Sequence, residues 1–363
     1  MMNYEEFKQE IVDNVKDYLD EKYANAEVSI ADVTKNNDTH LDGLQIKLED
    51  SNICPTIYLN DLYTQYEDTN DIEAILSRVA RAREGAEIEL PFDVKDLTNW
   101  EKTKDHLDCR VISKESNQEY LQDKPHLEVA EDLAVVYAVR LGGAADGIMN
   151  AVVTDRMMEN WGVSLEELNE TAMNNMETLS PVNFKTMQEV LAEMMFPGRT
   201  PSQEEMDMFF PPMEGPALYV LTNEEKVYGA KAILNEKVMD DIADKIGGDF
   251  VILPSSLHEV LILPDAEHMD RRALEDMVQS VNQTEVMAQD VLSDHVYCYD
   301  SKEHELVRAE TYIDRVNDRR AEITEGRAPE KKPIKDLIAE KKEESVKLHP
   351  EKSIKGKSLE NSR

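Results

Sequence analysis

Cysteine is scarce in this chain. Three of its 363 residues, Cys54, Cys109 and Cys298, are odd in number and far apart. That excludes a disulfide framework and any CxxC-type zinc site, and it suits a reducing compartment. Long apolar runs are missing as well. Leu133–Val139 (LAVVYAV) is among the longest, far short of the roughly 18 residues a membrane span needs. The opening MMNYEEFKQE has neither a basic n-region nor an apolar h-region, so the sequence predicts a cytoplasmic protein and not a secreted one. Positive charge is the third deficit: 40 Lys+Arg face 76 Asp+Glu, a net of −36. Nucleic acid and anionic membranes both demand positive surface, so neither is expected as a direct partner of the folded part.

Motifs are absent too. The chain holds no GxGxxG, GxxxxGK[ST], HExxH, GxSxG or EF-hand loop, so nucleotide-dependent and common hydrolytic chemistries lose their usual sequence support. Gly142-Gly143 and Gly247-Gly248 are only pairs, too few to cradle a phosphate. The sequence therefore implies no cofactor.

What is present is a foldable, mixed pattern. Hydrophobic residues make up 41% and charged residues 32%, and a chain of this length is expected to form two domains. Tyr4, Phe7, Ile11, Val15, Tyr18 and Leu19 recur at helical spacing. Val28–Val33 and the alternating Leu44, Ile46 and Leu48 read as strands joined through the turn-rich KNNDTHLDG, with Ile57–Leu59 as a third strand. Asn70 or Asp71 caps a helix over Ile72, Ile75, Leu76 and Val79. Thr98–Glu101 and Ser164–Glu167 have capping-box spacing, and Leu133–Val139 reads as a strand buried on both faces. Met157, Met158 and Trp161 are expected on a preceding helix as packing surface.

Five prolines between Pro197 and Pro216 mark a loop, interrupted by one helical turn after Ser202. Beyond it strands are expected at Ala217–Leu221, Ala230–Leu234, Phe250–Leu253, Val260–Leu263, Val291–Tyr299 and Glu305–Ala309, with helices over Glu236–Ile246 and Arg271–Val281. This mixed order predicts an α/β (mixed α+β) fold of two mixed-sheet domains with flanking helices, 1–145 and 146–325, divided near Gly142-Gly143. Residues 326–363 hold 11 Lys+Arg against 7 Asp+Glu and little apolar content; they read as a disordered basic tail, with a short helix at most over 334–344.

The densest collection of reactive groups is Leu253–Leu263, LPSSLHEVLIL, where Ser255, Ser256, His258 and Glu259 stand between two strands. A serine nucleophile needs a base in reach and a group to orient it, and sequence neighbours rarely supply that geometry. The structural alternative is a tight turn in which a serine caps and His258 satisfies backbone groups. A metal site would gather His258 and Glu259 with Asp294 and His295. His126 and His40 read as solvated loop histidines, and Cys298 as a buried small side chain. The acidic excess offers one more idea, a surface that mimics duplex phosphates and occupies a nucleic-acid enzyme; solubility explains the same charge.

MNYEEFKQEIVDNV, VTKNN…LDGLQIKL, PTIYLNDLYTQYE, WGVSLEELNETAMNN and VILPSSLHEVLILP, taken together, resemble an uncharacterised family of Gram-positive gut bacterial proteins. It is a domain-of-unknown-function family often associated with mobile genetic elements. The resemblance covers most of residues 2–310, and from about Met149 the chain is also similar to another uncharacterised Firmicutes family. It implies a bacterial cytoplasmic protein and assigns no activity or site residues. The sequence thus points to a non-enzymatic binding or accessory protein with a protein partner. The alternatives are the acidic mimic and an enzyme built on the Ser255–Glu259 turn.

Overall fold

The computed structural model describes residues 1–49, 54–85, 92–144, 147–211, 215–264 and 266–324. The chain divides into two compact units, Met1–Tyr312 and Ile313–Arg363. The expected tail, 326–363, lies outside the described residues.

The first sheet grows from local sequence. Helix α1 (Tyr4–Asn14) starts under Asn3, whose side chain accepts the Glu6 N–H at 3.0 Å while the Glu6 carboxylate accepts the Asn3 N–H at 2.9 Å. This reciprocal box satisfies two orphan donors and aims Phe7 and Ile11 inward. Strands β1 (Glu27–Thr34) and β2 (His40–Lys47) form the expected hairpin, and β3 (Thr56–Tyr58) pairs with β2. Helix α2 (Leu59–Thr69) follows β3 directly and was not foreseen; it ends at Asn70 in the left-handed conformation. Helix α3 (Ile72–Gly85) then begins at Asp71, whose carboxylate accepts the Ala74 N–H. The buried residues of this core all lie between Phe7 and Val79.

The second sheet carries β4 (Leu107–Ser113), β5 (His126–Val129), β6 (Leu133–Ala144) and β7 (Gly147–Val152). Strand β6 pairs with β4 on one edge and with β5 and β7 on the other, all antiparallel. Gly142 and Gly143, where a domain boundary was expected, pair with Met149 and Ile148 inside the β6–β7 ladder. Short α4 (Trp100–Thr103) has no side-chain cap, so the Thr98 box does not form. Thr154 caps α5 (Asp155–Trp161) and Ser164 caps α6 (Leu165–Leu179). Val135, Tyr137 and Val139 of β6 face the α6 residues Leu168, Ala172 and Met176. Ala134 and Val136 face the third sheet. Burial on both sides explains why this strand reads as unbroken apolar sequence.

The third sheet runs β13-β12-β10-β11-β9-β8, antiparallel throughout. Its strands are β8 (Val182–Thr186), β9 (Tyr219–Asn223), β10 (Phe250–Pro254), β11 (Val260–Pro264), β12 (Tyr297–Asp300) and β13 (Glu305–Arg308). Helices α7 (Met187–Met195), α8 (Gln203–Phe209), α9 (Glu236–Ile246) and α10 (Arg271–Thr284) accompany it, and α11 (Ala309–Thr324) follows β13 in the chain. The proline-rich stretch holds all of α8, started by a Ser202–Glu205 capping box. Two expectations fail here. Ala230–Leu234 belongs to a buried 3-10 turn, Gly229–Leu234, and the strand expected from Val291 begins only at Tyr297. The 3-10 turn wins because Gly229 sits against the Asn223 N–H and the His258 carbonyl, where an added Cβ would lie 2.6 Å from each. The protein is therefore a mixed α+β fold on three antiparallel sheets. No helix among the described residues is long and apolar enough to cross a membrane.

Candidate functional site

Polar side chains tie the three sheets together. In the KNNDTHLDG turn, Asn37 and Asp38 adopt left-handed backbone (φ 59° and 47°), a conformation Asn and Asp tolerate better than other side-chain-bearing residues. Asn36 donates to the Gln289 carbonyl at 2.9 Å, and Asn37 donates to the Ala288 and Val291 carbonyls at 2.8 Å each. Asn117 accepts the Asn37 N–H at 2.7 Å, and the Asp38 carboxylate accepts the N–H groups of Glu119 and Tyr120. A second tie is buried. Asp108 on β4 receives the Lys231 ammonium and, at 2.8 Å, the Arg140 guanidinium. Burial alone would raise the Asp108 carboxyl; the two cations outweigh it and hold it below the usual carboxylate range. A third joins Asp132 to the Tyr297 hydroxyl at 2.7 Å. Here burial prevails and pushes the Asp132 carboxyl upward.

Between these ties a cleft of about 340 Å³ opens, with walls from all three sheets. Val33, Leu41, Ile112, Val136, Val152 and Leu257 make its apolar lining. Three cations line it too, each over a tyrosine ring. The Arg110 guanidinium lies 3.8 Å from the Tyr228 centroid, the Lys124 ammonium 4.2 Å from Tyr120, and the Lys35 ammonium 4.5 Å from Tyr58. Lys124 is paired with Asp123 at 2.7 Å. Among the described residues, Lys35 and Arg110 have no carboxylate within 4.0 Å, and the guanidinium has no hydrogen-bond acceptor. In a chain with nearly two acids per base, two unneutralised cations in one concavity are an arrangement that chance pairing disfavours. Burial raises the Tyr120 hydroxyl, against the opposing pull of Arg110.

The LPSSLHE turn supports this cleft from behind. The His258 Nδ1 accepts the Tyr228 N–H at 3.2 Å, so its ring proton sits on Nε2, 3.6 Å from the Asp290 carboxylate. Tyr228 itself is left-handed (φ 52°), a strained choice for an aromatic residue that its surroundings must enforce. His258 holds its N–H, and the Tyr228 ring lies under Arg110. Ser256 accepts the His258 N–H at 3.0 Å, and the Glu259 carbonyl accepts the Ser256 N–H at 3.1 Å. No hydroxyl of Ser255 or Ser256 is hydrogen-bonded to the imidazole among the described residues. The turn therefore has no nucleophile–base pair in this arrangement.

His295 and Asp294 keep different company. The Arg308 guanidinium lies 2.9 Å from His295 Nδ1, and Asp294 accepts from Asn282 at 2.8 Å. Among the described residues, the set that brings three ligand-type atoms together is Glu236, Asp240 and His304, within 4.8 Å of one another. His258, Glu259, Asp294 and His295 do not form such a set. His40 and His126 each begin a strand; His40 pairs with Asp32 at 2.9 Å. Cys298 is fully buried in β12, and burial raises its thiol, as it pushes the Cys109 thiol up to about 12.

Arg110 escaped the sequence reading, although a signal existed. It is the half-exposed cation in LDCRVIS, a strand otherwise buried, and it stands opposite Val136 on the face that also carries Ile112. A charge at a core-facing strand position asks for a partner; among the described residues the Tyr228 ring supplies a face but no carboxylate comes within 4.0 Å.

The fold and cleft together define a mixed α+β protein with a small, cation-lined cavity at the junction of three sheets. The chain belongs to the Family of unknown function (DUF5688), whose model matches residues 4–301. No curated protein and no solved structure matches the chain.

Proposed function

We propose that the protein is a non-enzymatic binding protein and that the cleft among its three sheets holds a small molecule. Arg110 carries this reading. A guanidinium offers five donors in a rigid fork, and this one is stacked on Tyr228 with no hydrogen-bond acceptor among the described residues. The cavity lies at the lower end of the roughly 300–1,000 Å³ usual for ligand sites. Apolar walls with a few convergent polar groups complete the resemblance to such sites. A small molecule thus replaces the protein partner that composition alone suggested. The setting we propose is the bacterial cytoplasm, which three free thiols suit.

The test compares the wild type with Arg110→Gln, each purified gently from the native cytoplasm and analysed by native mass spectrometry. The wild type is expected to release a bound small molecule on denaturation that the variant lacks, with both melting within a few degrees of each other. Identical released compounds from the two proteins would overturn the reading.

A further inference from the structure

The lining of the cleft narrows the ligand class. We infer that it takes a phosphomonoester carried on a flat or apolar body, an inference that rests on the cleft being a ligand site. Besides Arg110, three charged side chains line the cavity, Lys35, Lys124 and Asp290; Lys124 is neutralised by Asp123, and Asp290 lies beside the His258 imidazole.

 Among the described residues, Lys35 and Arg110 have no carboxylate within 4.0 Å, while Asp290 keeps its own charge beside a neutral imidazole. Two cations at two places call for an anion with oxygens enough for both. A phosphomonoester carries about −1.5 to −2 at neutral pH and three acceptor oxygens, whereas a carboxylate held two-pronged by Arg110 has both its oxygens engaged and none left for Lys35.

Geometry adds to charge. The Arg110 fork donates to two oxygens of one planar or tetrahedral anion side by side, and a lysine supplies a point charge to the third. Tyr58, Tyr120 and Tyr228, with Val33, Leu41 and Leu257, then surround whatever the phosphate is attached to. Tyrosine faces and aliphatic walls favour a ring or another apolar body over a sugar-like, fully hydroxylated one. The cavity has room for one ring system and one phosphate, and the −36 on the whole chain opposes anything much more highly charged, nucleic acid above all.

Isothermal titration of the full chain with phenyl phosphate and with adenosine 5′-monophosphate tests this, with benzoate and phenol as the carboxylate and uncharged counterparts. At least one phosphomonoester is expected to bind at a single site, at least tenfold more tightly than benzoate or phenol. That affinity is expected to fall between pH 7 and pH 5, as the phosphate regains its second proton near pH 6. Arg110→Gln is expected to weaken it tenfold or more and Lys35→Gln several-fold, while Glu204→Gln on α8 leaves it unchanged. Thermal melts of all three variants separate lost binding from lost folding. Benzoate binding as tightly as the phosphomonoesters, with the same need for Arg110, would overturn the phosphomonoester class and leave the cleft reading standing. Failure of both phosphomonoesters to bind would also overturn the class; the cleft reading falls with it only if the wild type and Arg110→Gln release identical compounds from the native cytoplasm.

Discussion

Lys231 is 2% exposed and its ammonium rests on Asp108, a carboxylate that Arg140 holds from the other side. Removing one member of such a cluster leaves a buried charge short of compensation, which costs more than the intact cluster contributes. Lys231→Met is expected to lower stability by about 2–4 kcal/mol, read from urea melts at pH 7. The effect depends on pH in a definite direction. The folded Asp108 carboxyl lies below its unfolded value, so as pH falls the unfolded chain takes up the proton first. The contribution of Asp108 is thus fully present above about pH 4 and fades as pH drops through the depressed folded value. Melts between pH 6 and pH 3 are expected to show the gap between wild type and Asp108→Asn narrowing at the acid end. Lys231 also shows why residues 230–234 mislead a reader of sequence. Its neighbours Ala230, Ala232 and Ile233 look like a strand, yet the segment coils tightly to deliver one ammonium to a carboxylate 123 positions earlier.

Among the elements, the turn at 36–38 does more than join two strands. Asn37→Ala would remove the donors to the Ala288 and Val291 carbonyls and place alanine at a positive φ. A loss of about 2–4 kcal/mol is expected by calorimetry, from lost hydrogen bonds and backbone strain together. Asn37→Gly keeps the backbone conformation accessible and is expected to recover part of that loss, which separates the two causes. The hairpin around this turn was legible because β1 and β2 alternate and pair locally. Helix α9 was legible over its whole length because its apolar stripe is long and Gly247 stops it. Strands β4, β5, β7 and β8 and helices α2 and α7 were not. The strands are defined by ladders supplied from elsewhere, and the two helices begin directly at strand ends, α2 after Tyr58 and α7 after Thr186, with no linker to announce them. The same holds for the cleft. His258 stood out by its company of reactive groups, whereas Arg110, Lys35 and Tyr228 become a site only when three sheets meet.

On the scale of the whole molecule, net charge sets the terms. With 76 acids and 40 bases, self-repulsion works against the compact state. Screening is about 10 Å at 0.1 M salt and roughly three times longer at 0.01 M. Raising sodium chloride from 10 mM to 200 mM is therefore expected to increase the melting temperature by several degrees, followed by scanning calorimetry. A fall instead would mean that exposed ion pairs such as Lys104–Glu101 outweigh the repulsion. The clamp at residues 36–38 has a consequence in time. Asn36 meets the Gln289 carbonyl across 253 positions, while the core of the first sheet is complete by Val79. At roughly 5–20 residues per second of synthesis, the hairpin waits on the order of ten seconds or more before its distant partner leaves the ribosome. A nascent chain can therefore own a finished first sheet and no cleft, because the binding seat cannot close before Gln289 and Asp290 emerge.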